Sequence, residues 1–480
     1  MNPRSLLRWP LPRLQRPPLP LTAGVVAALL IAPLVALQRL PRPRAQGLER
    51  LVAGASLVQS FPATPQRPVP LLWRQRFGDA LASRIWRQQR RSWWQTWGAH
   101  SDAGATLVLS SASLIGIPEA ALPSLLVRVD DLAVIPPEAL SRQLLVQALA
   151  RPARQPRGLS RACWQRLQEE QAVAWDAAAL SVILGPVVPL LEPFQVGCLG
   201  LGIEADGLSW QGEAAARGTA SIGAAEESVR ARLMASQVAP PPLANDLLLE
   251  LEGGSLDPLL KGLLARQMIR EPLEQRYGFG PRPLAQLRQM AFRLRLRALA
   301  QGPYRAGLEL QLVGEQTPRA WGPILEQIRQ VLRQQGYTEI SAPSQPNALP
   351  TASWRDPSGR VVGGWRWVGG VGRTPQLLLY LGPEPQISGL RNWINPTRLP
   401  LATDLLLRSR PAAIAEAGLV TPAMPSVLQR AEQVWMGSGR LSDGRAVEPV
   451  HGLRGELRLA PALSPRPTTT APPPPPPVGH

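Results

Sequence analysis

Lysine is all but missing from this chain. Of the 52 basic residues among 480, Lys261 is the only lysine and the rest are arginine. A formal net charge of +18 by itself points to nucleic acid or anionic lipid. An arginine-only basic set is what a GC-rich genome imposes on every protein, so part of that excess is compositional. Residues 1–50 hold eight arginines against the single acid Glu49, and the remaining arginines are scattered rather than gathered in a tail. With no recognised nucleic-acid module in view, nucleic acid is not expected as a partner.

Histidine and cysteine are also scarce. Only His100, His451, His480, Cys163 and Cys198 are present, too few and too scattered for a zinc site of about four N or S ligands. No Gly-x-Ser-x-Gly elbow surrounds a serine, and there is no Gly-Lys-Ser/Thr phosphate loop. The glycine clusters Gly197–Gly202 and Gly363–Gly372 read as strand ends and turns. Neighbouring acids such as Asp130-Asp131, Glu169-Glu170 and Glu226-Glu227 lack the fixed separation that acid/base chemistry across a substrate needs. No catalytic residue, cofactor or metal is therefore assigned. Cys163 and Cys198 are a candidate disulfide in an oxidising compartment, but their spacing says nothing about geometry, and free thiols remain the alternative.

What the chain does have is 45% hydrophobic residues with 18% charged, enough for real cores. It also has 54 prolines and 41 glycines, which exclude one long helical bundle. The one long uncharged run, Leu19–Leu37, covers about 28 Å as a helix at roughly 1.5 Å per residue, close to a hydrocarbon core of roughly 30 Å. Arginines flank it on both sides. The run reads as a single transmembrane anchor, with a cleaved secretory signal as the alternative. A large globular part after one early span places the bulk of the chain outside the cytoplasm, in a periplasm or thylakoid lumen.

The organisation that follows is a basic segment 1–18, the anchor 19–37, a linker 38–47, a first α+β region 48–239, a second α+β region 243–460 and a Pro-rich tail 461–480 that cannot build a core. Inside the second region Pro242-Leu-Ala-Asn-Asp-Leu-Leu-Leu249 recurs as Pro400-Leu-Ala-Thr-Asp-Leu-Leu-Leu407, identical at seven of eight positions. Each copy opens a strand and is followed by helix-compatible sequence and an alternating strand, Gly307–Val313 in one and Gly452–Leu459 in the other. The repeat units are therefore 242–315 and 400–459. Pro318–Gln335 reads as the best helix, with Trp321, Ile324, Leu325, Ile328, Val331 and Leu332 on one stripe. Thr106–Leu109, Leu125–Val129, Leu199–Gly212, Val361–Val368 and Gln376–Leu381 read as strands. The fold class these elements predict is α+β: one N-terminal transmembrane helix, then a duplicated ectodomain of antiparallel sheets packed with helices.

The anchor, the large ectodomain and the strand openings Pro242–Leu249 and Pro400–Leu407 resemble the bacterial, chiefly cyanobacterial, domain-of-unknown-function proteins of the 3352 type over about residues 48–460. That resemblance implies an anchored extracytoplasmic protein and brings no functional residue with it.

The most unusual segment is Leu71–Trp97. Read as a helix, it sets Trp86, Trp93 and Trp97 on one face and turns Arg84, Arg87 and Arg91 away. Together with Trp73, Arg90 and Trp94 these form a candidate membrane interface with anionic lipid as its partner, since Trp favours the headgroup level and Arg is drawn to anionic lipid. The alternative buries the tryptophans in a core. The function expected is a non-enzymatic binding or scaffold module in envelope or photosynthetic-membrane assembly, with an unknown protein partner. A lipid or hydrophobic-ligand carrier is one alternative, which an apolar groove would favour. The other is a hydrolase using carboxylate chemistry at Asp206, Asp246 or Asp404.

Overall fold

Runs of alternating apolar residues, broken every few positions by Gly, Pro or Asp, make short strands that must find partners far away in sequence. The computed structural model describes residues 43–98, 104–156, 158–179, 194–216, 240–264, 266–299, 304–313, 318–340, 351–369, 375–385, 404–419, 426–440 and 450–460. In chain order the elements begin with α1 (Gly47–Val52), β1 (Ala55–Phe61), α2 (Leu71–Phe77), α3 (Asp79–Gln88), β2 (Trp93–Gly98) and β3 (Thr106–Ser110). Then come β4 (Val127–Val129), β5 (Leu132–Ile135), α4 (Ala139–Ala150), α5 (Leu159–Glu169), β6 (Ala172–Trp175), β7 (Val196–Ile203) and β8 (Gly207–Ala215). The chain continues through β9 (Leu247–Gly253), α6 (Asp257–Leu264), α7 (Gln267–Gln275), α8 (Pro281–Arg288), β10 (Ala291–Ala298), β11 (Ala306–Val313) and α9 (Pro318–Gln334). It closes with β12 (Thr338–Ile340), β13 (Thr351–Arg355), β14 (Val361–Val368), β15 (Gln376–Leu381), β16 (Leu405–Ser409), α10 (Pro411–Glu416), α11 (Ser426–Gln429), β17 (Ala431–Arg440) and β18 (Val450–Leu459).

All 18 strands of the described residues belong to one sheet, and every pairing among them is antiparallel. Followed through its hydrogen-bonded neighbours, the sheet runs β12-β13-β14-β15-β11-β10-β9-β16-β17-β18-β8-β7-β6-β1-β2-β3-β5-β4. The same series of elements occurs twice along the chain. A helix and four strands that pair in order (α1 with β1, β6, β7 and β8; α9 with β12 to β15) lead to a strand, a helical stretch and two more strands (β9 to β11; β16 to β18). The four-strand set of each series pairs with the last strand of the other, β15 beside β11 and β8 beside β18. The first strands of the two three-strand sets, β9 and β16, meet in the middle. Residues 62–171 form an insertion in the first series and carry β2 to β5 and α2 to α5.

This corrects the expected fold class. Instead of a transmembrane helix followed by a duplicated α+β ectodomain with several sheets, one antiparallel sheet takes strands from the whole described chain. The reason is the strand exchange: neither series closes its own sheet, so no break separates them. The anchor is corrected as well. Leu19–Leu37 lies outside the described residues, and among the described residues no helix is long and apolar enough to cross a membrane. The single-pass topology and the extracytoplasmic location built on that helix are not carried forward.

Helices cover the sheet where its strands are apolar. At the β4 end both faces are covered, which is why β3 and β5 are apolar without alternation. Leu107, Leu109, Ala133 and Ile135 pack with Trp73, Ile85 and Trp86 of α2 and α3. Val108, Leu132 and Val134 pack on the other side with Leu51 of α1 and Leu159 and Leu167 of α5. At the β12 end, α6, α8 and α9 cover one face over Phe292, Leu312, Leu377 and the tryptophans 354, 365 and 367. Helix α9 forms over Pro318–Gln334 as its spacing predicts, and Trp321, Leu325 and Val331 of its stripe are buried.

Candidate ligand-binding cavity

Residues directly opposite in an antiparallel pair point to the same face. Leu308 and Leu310 of β11 therefore share a face with Leu381 and Leu379 of β15, and with Gly363 and Trp365 of β14. Helix α9 lies over this face, and between helix and sheet is a cavity of about 400 Å³, within the range of small-molecule sites. Its floor is these strands with Trp354 of β13, its roof Ile328 and Leu332, and its rim Tyr304, Gln335 and Tyr337.

Gly363 and Gly364 keep β14 close to its neighbours. A Cβ at Gly363 would lie 2.6 Å from the Tyr380 carbonyl oxygen, and one at Gly364 2.3 Å from that of Ala352 and 2.5 Å from the Tyr380 hydroxyl. The Tyr380 ring thus occupies the space over Gly364 on the far face. These glycines lie inside a strand, as do Gly197, Gly200 and Gly202 of β7, so close cross-strand approach explains them where strand ends and turns were expected.

The polar groups at the cavity are indoles, phenols and the Gln335 amide. Trp354 is 1% exposed, and its indole N–H has no hydrogen-bond partner among the described residues. Five other buried indoles share that property, but Trp354 is the one of the six that lines this cavity. Burial pushes the Tyr304 phenol up, with Tyr337 and Asp356 adding to the shift, so it stays protonated. Asp356, in the β13–β14 turn, is held at about 2 by the hydrogen bond from Ser358 and by the backbone N–H and guanidinium of Arg360. Two arginines of the helix are paired. Arg329 stacks over the Trp365 ring at 5.6 Å and bonds Glu339 at 3.0 Å and Glu326 at 2.5 Å, while Arg333 reaches Glu339 at 2.7 Å.

The opposite face of the sheet carries a buried ion network. Arg293 Nε donates to Glu252 at 2.7 Å, and Arg295 Nε to Glu250 at 2.7 Å. Arg408 bonds Glu250 and lies 3.7 Å from Glu252, and Arg297 bonds Asp246 and, at 3.1 Å, Glu309. Burial alone would raise the Glu250 carboxyl, but Arg295, Arg408 and Arg293 outweigh it and hold the group below its ordinary value. At Glu252 burial, with the Glu250 charge beside it, outweighs Arg293 and raises the carboxyl.

The candidate interface segment is placed differently from its helical reading. Helix α3 ends at Gln88, and Trp93, Trp94 and Trp97 stand on β2. Trp73, Trp86, Trp93 and Trp94 are buried and Trp97 half-buried, leaving Arg84, Arg87, Arg90 and Arg91 on the surface. The aromatic half of a membrane interface is thus spent on two cores. Trp73, Trp86 and Trp93 meet edge to face with ring centroids 5.0 to 6.1 Å apart, while Trp94 donates to the Leu167 carbonyl at 2.8 Å on the other side. Cys163 of α5 and Cys198 of β7 are joined in a disulfide.

The three carboxylates considered for hydrolysis do not converge. The Asp404 carbonyl accepts from Gly254 N–H at 3.3 Å, at the far end of β9 from Asp246. At roughly 3.4 Å per residue that puts the two acids about 25 Å apart. Asp246 is taken by Arg297, Asp404 lies 3.7 Å from His451, and Asp206 sits in the β7–β8 turn. His100 and His480 lie outside the described residues. Among the described residues no group of three or more His, Cys, Asp or Glu is placed to hold a metal ion.

Neither the cavity nor the ion network was anticipated from sequence. The network had a signal in Arg293-x-Arg295-x-Arg297 and Glu250-x-Glu252, charges two apart and so on one face of a strand. The cavity had none beyond the Trp-rich hairpin that forms its floor. Comparison of the chain with protein-family models, curated proteins and solved structures finds no match in any of the three.

Proposed function

We propose that the protein is a binding module for a small hydrophobic molecule, held in the cavity between α9 and strands β11 and β13 to β15. The observation that carries this reading is the cavity itself, about 400 Å³ with a floor and roof of Leu, Ile and Trp. Among the expected roles it favours the hydrophobic-ligand carrier over the scaffold, because a scaffold works through an outward surface and this volume lies between a helix and a sheet. The polar side chains that line the cavity are two indoles, three phenols and an amide, a set suited to orienting a ligand rather than to moving protons at neutral pH.

The test is binding of the neutral fluorophore N-phenyl-1-naphthylamine to the full chain. Emission should rise on binding with one site per chain, and Ile328→Trp, which fills the roof, should weaken binding at least tenfold while thermal unfolding stays cooperative. No binding to the wild-type chain, or equal binding to a folded Ile328→Trp variant, overturns the proposal.

A further inference from the structure

We infer that the arginines exposed on α3 and in the turn after it, together with Ile115 beside them, form a docking face for an anionic lipid surface. The face is separate from the cavity and does not depend on what the cavity holds.

Three observations lead there. The first is charge that nothing in the protein neutralises. Arg84, Arg87, Arg90 and Arg91 are exposed, and their side chains reach backbone carbonyls rather than acids. Arg84 donates to the Gly116 carbonyl at 3.2 Å, Arg87 to that of Ser83 at 3.2 Å and Arg90 to that of Arg87 at 3.3 Å. A guanidinium carries five N–H donors, so most of them are left for a partner. Asp79 of the same helix and Glu119 lie by other arginines, 4.0 Å from Arg74 and 3.8 Å from Arg128. The second is backing. Helix α3 buries Ala82, Ile85 and Trp86, so Arg84 and Arg87, one turn apart on the opposite side, are presented outward from a fixed core. The third is Ile115, which is 76% exposed at a turn where Gly116 takes a φ of 79°. The bond from Arg84 to the Gly116 carbonyl holds that turn against the basic face. Arginine pairs with headgroup phosphate, and an apolar tip beside it enters the acyl boundary. An acidic peptide or a nucleic acid would engage the arginines alone and has no use for Ile115, which favours lipid.

The experiment puts a reporter at the tip. The chain's two cysteines are joined to each other, so Ile115→Cys in the full chain supplies one reactive thiol for the environment-sensitive dye acrylodan. Vesicles of equal parts phosphatidylcholine and phosphatidylglycerol should shift its emission to the blue, while vesicles of phosphatidylcholine alone should not. An arginine near an anionic surface is worth about a fivefold change in partitioning, so adding Arg84→Gln and Arg87→Gln should require about 25-fold more lipid for the same signal. Both side chains are exposed, and cooperative thermal unfolding checks that the variant is folded. The shift should survive Ile328→Trp, which fills the cavity. The inference is overturned if the mixed vesicles give no shift, if both kinds of vesicle give the same shift, or if the two glutamines leave the lipid requirement unchanged. Loss of the shift in a folded Ile328→Trp variant would place the response at the cavity and overturn it as well. A shift with polyglutamate or duplex DNA and none with vesicles would assign the face to that polyanion and exclude lipid.

Discussion

Glu250 and Arg408 lie directly opposite each other where β9 meets β16, and each is the residue that follows its own copy of the repeated octamer. Equivalent positions of two antiparallel strands can face each other only at a local two-fold axis, so the axis relating the two repeats passes between these side chains. One copy carries the acid there and the other the base. The buried pair is therefore a contact that two identical copies could not make.

Removing the acid should be costly. Glu250 is engaged by both Arg295 and Arg408, and stripping a buried charge of its partner typically costs about 3–5 kcal/mol. Glu250→Leu leaves two guanidinium groups facing each other, and urea unfolding at neutral pH should show a loss of that size. A change below about 1 kcal/mol would mean that water reaches the network and screens it.

The two glutamates also predict opposite responses to pH. Because the Glu250 carboxyl is lowered in the folded chain, its contribution is complete above the ordinary glutamate value of 4.5 and is lost as pH falls through the lowered folded value. Glu252 is raised, so its contribution is present below the ordinary value and is lost as pH rises through the raised one. In Glu252→Gln the second trend disappears. The variant's stability relative to wild type should rise with pH through the window above 4.5, as read from chemical denaturation across that range.

Trp93 and Trp94 are neighbours in sequence but belong to different cores, one on each face of β2. Trp94 bonds the Leu167 carbonyl, one of the last acceptors of α5, whereas the Trp93 N–H has no partner among the described residues. Both substitutions to Phe remove similar volume, but only Trp94→Phe strands a buried carbonyl. It should destabilise by about 1–3 kcal/mol more than Trp93→Phe, measured by thermal or urea unfolding of the two variants side by side.

Strand exchange makes a prediction about cutting the chain. Between β11 and α9 a break leaves each piece with three unpaired strand edges: β8, β9 and β11 on one, and β18, β16 and β15 on the other. Residues 1–315 and 316–480 expressed separately should aggregate, and co-expressed they should purify as a one-to-one complex. Two soluble monomeric pieces would show that each closes its own sheet.

Local structure was legible wherever burial on one side dictated a period. The α9 stripe from Trp321 to Leu332 is such a case, as are the alternations in β11 and β18 and the two octamers that became β9 and β16. Pairing was not legible, because nothing in Leu247–Gly253 says that its neighbours are Arg293 on one side and Arg408 on the other. The helical reading of Leu71–Trp97 does not extend past Gln88, and the reason is specific. Trp86, Trp93 and Trp97 have helical spacing, but Gly78 takes a positive φ of 73° between α2 and α3, and the chain leaves the helix at Gln89. The tryptophans beyond it then follow the period of a strand, to which aromatic side chains are well suited. The cavity was invisible because it depends on how far α9 stands from the sheet.

An antiparallel sheet in an open line has two ends, and any exposed end is a template on which another chain can add a strand. Here the terminal strands are β12 and β4, of three residues each, while the longest strands, β17 and β18 at ten residues, are paired on both sides. Among the described residues the sheet thus offers a newcomer very little backbone to copy, its two outermost strands being its shortest.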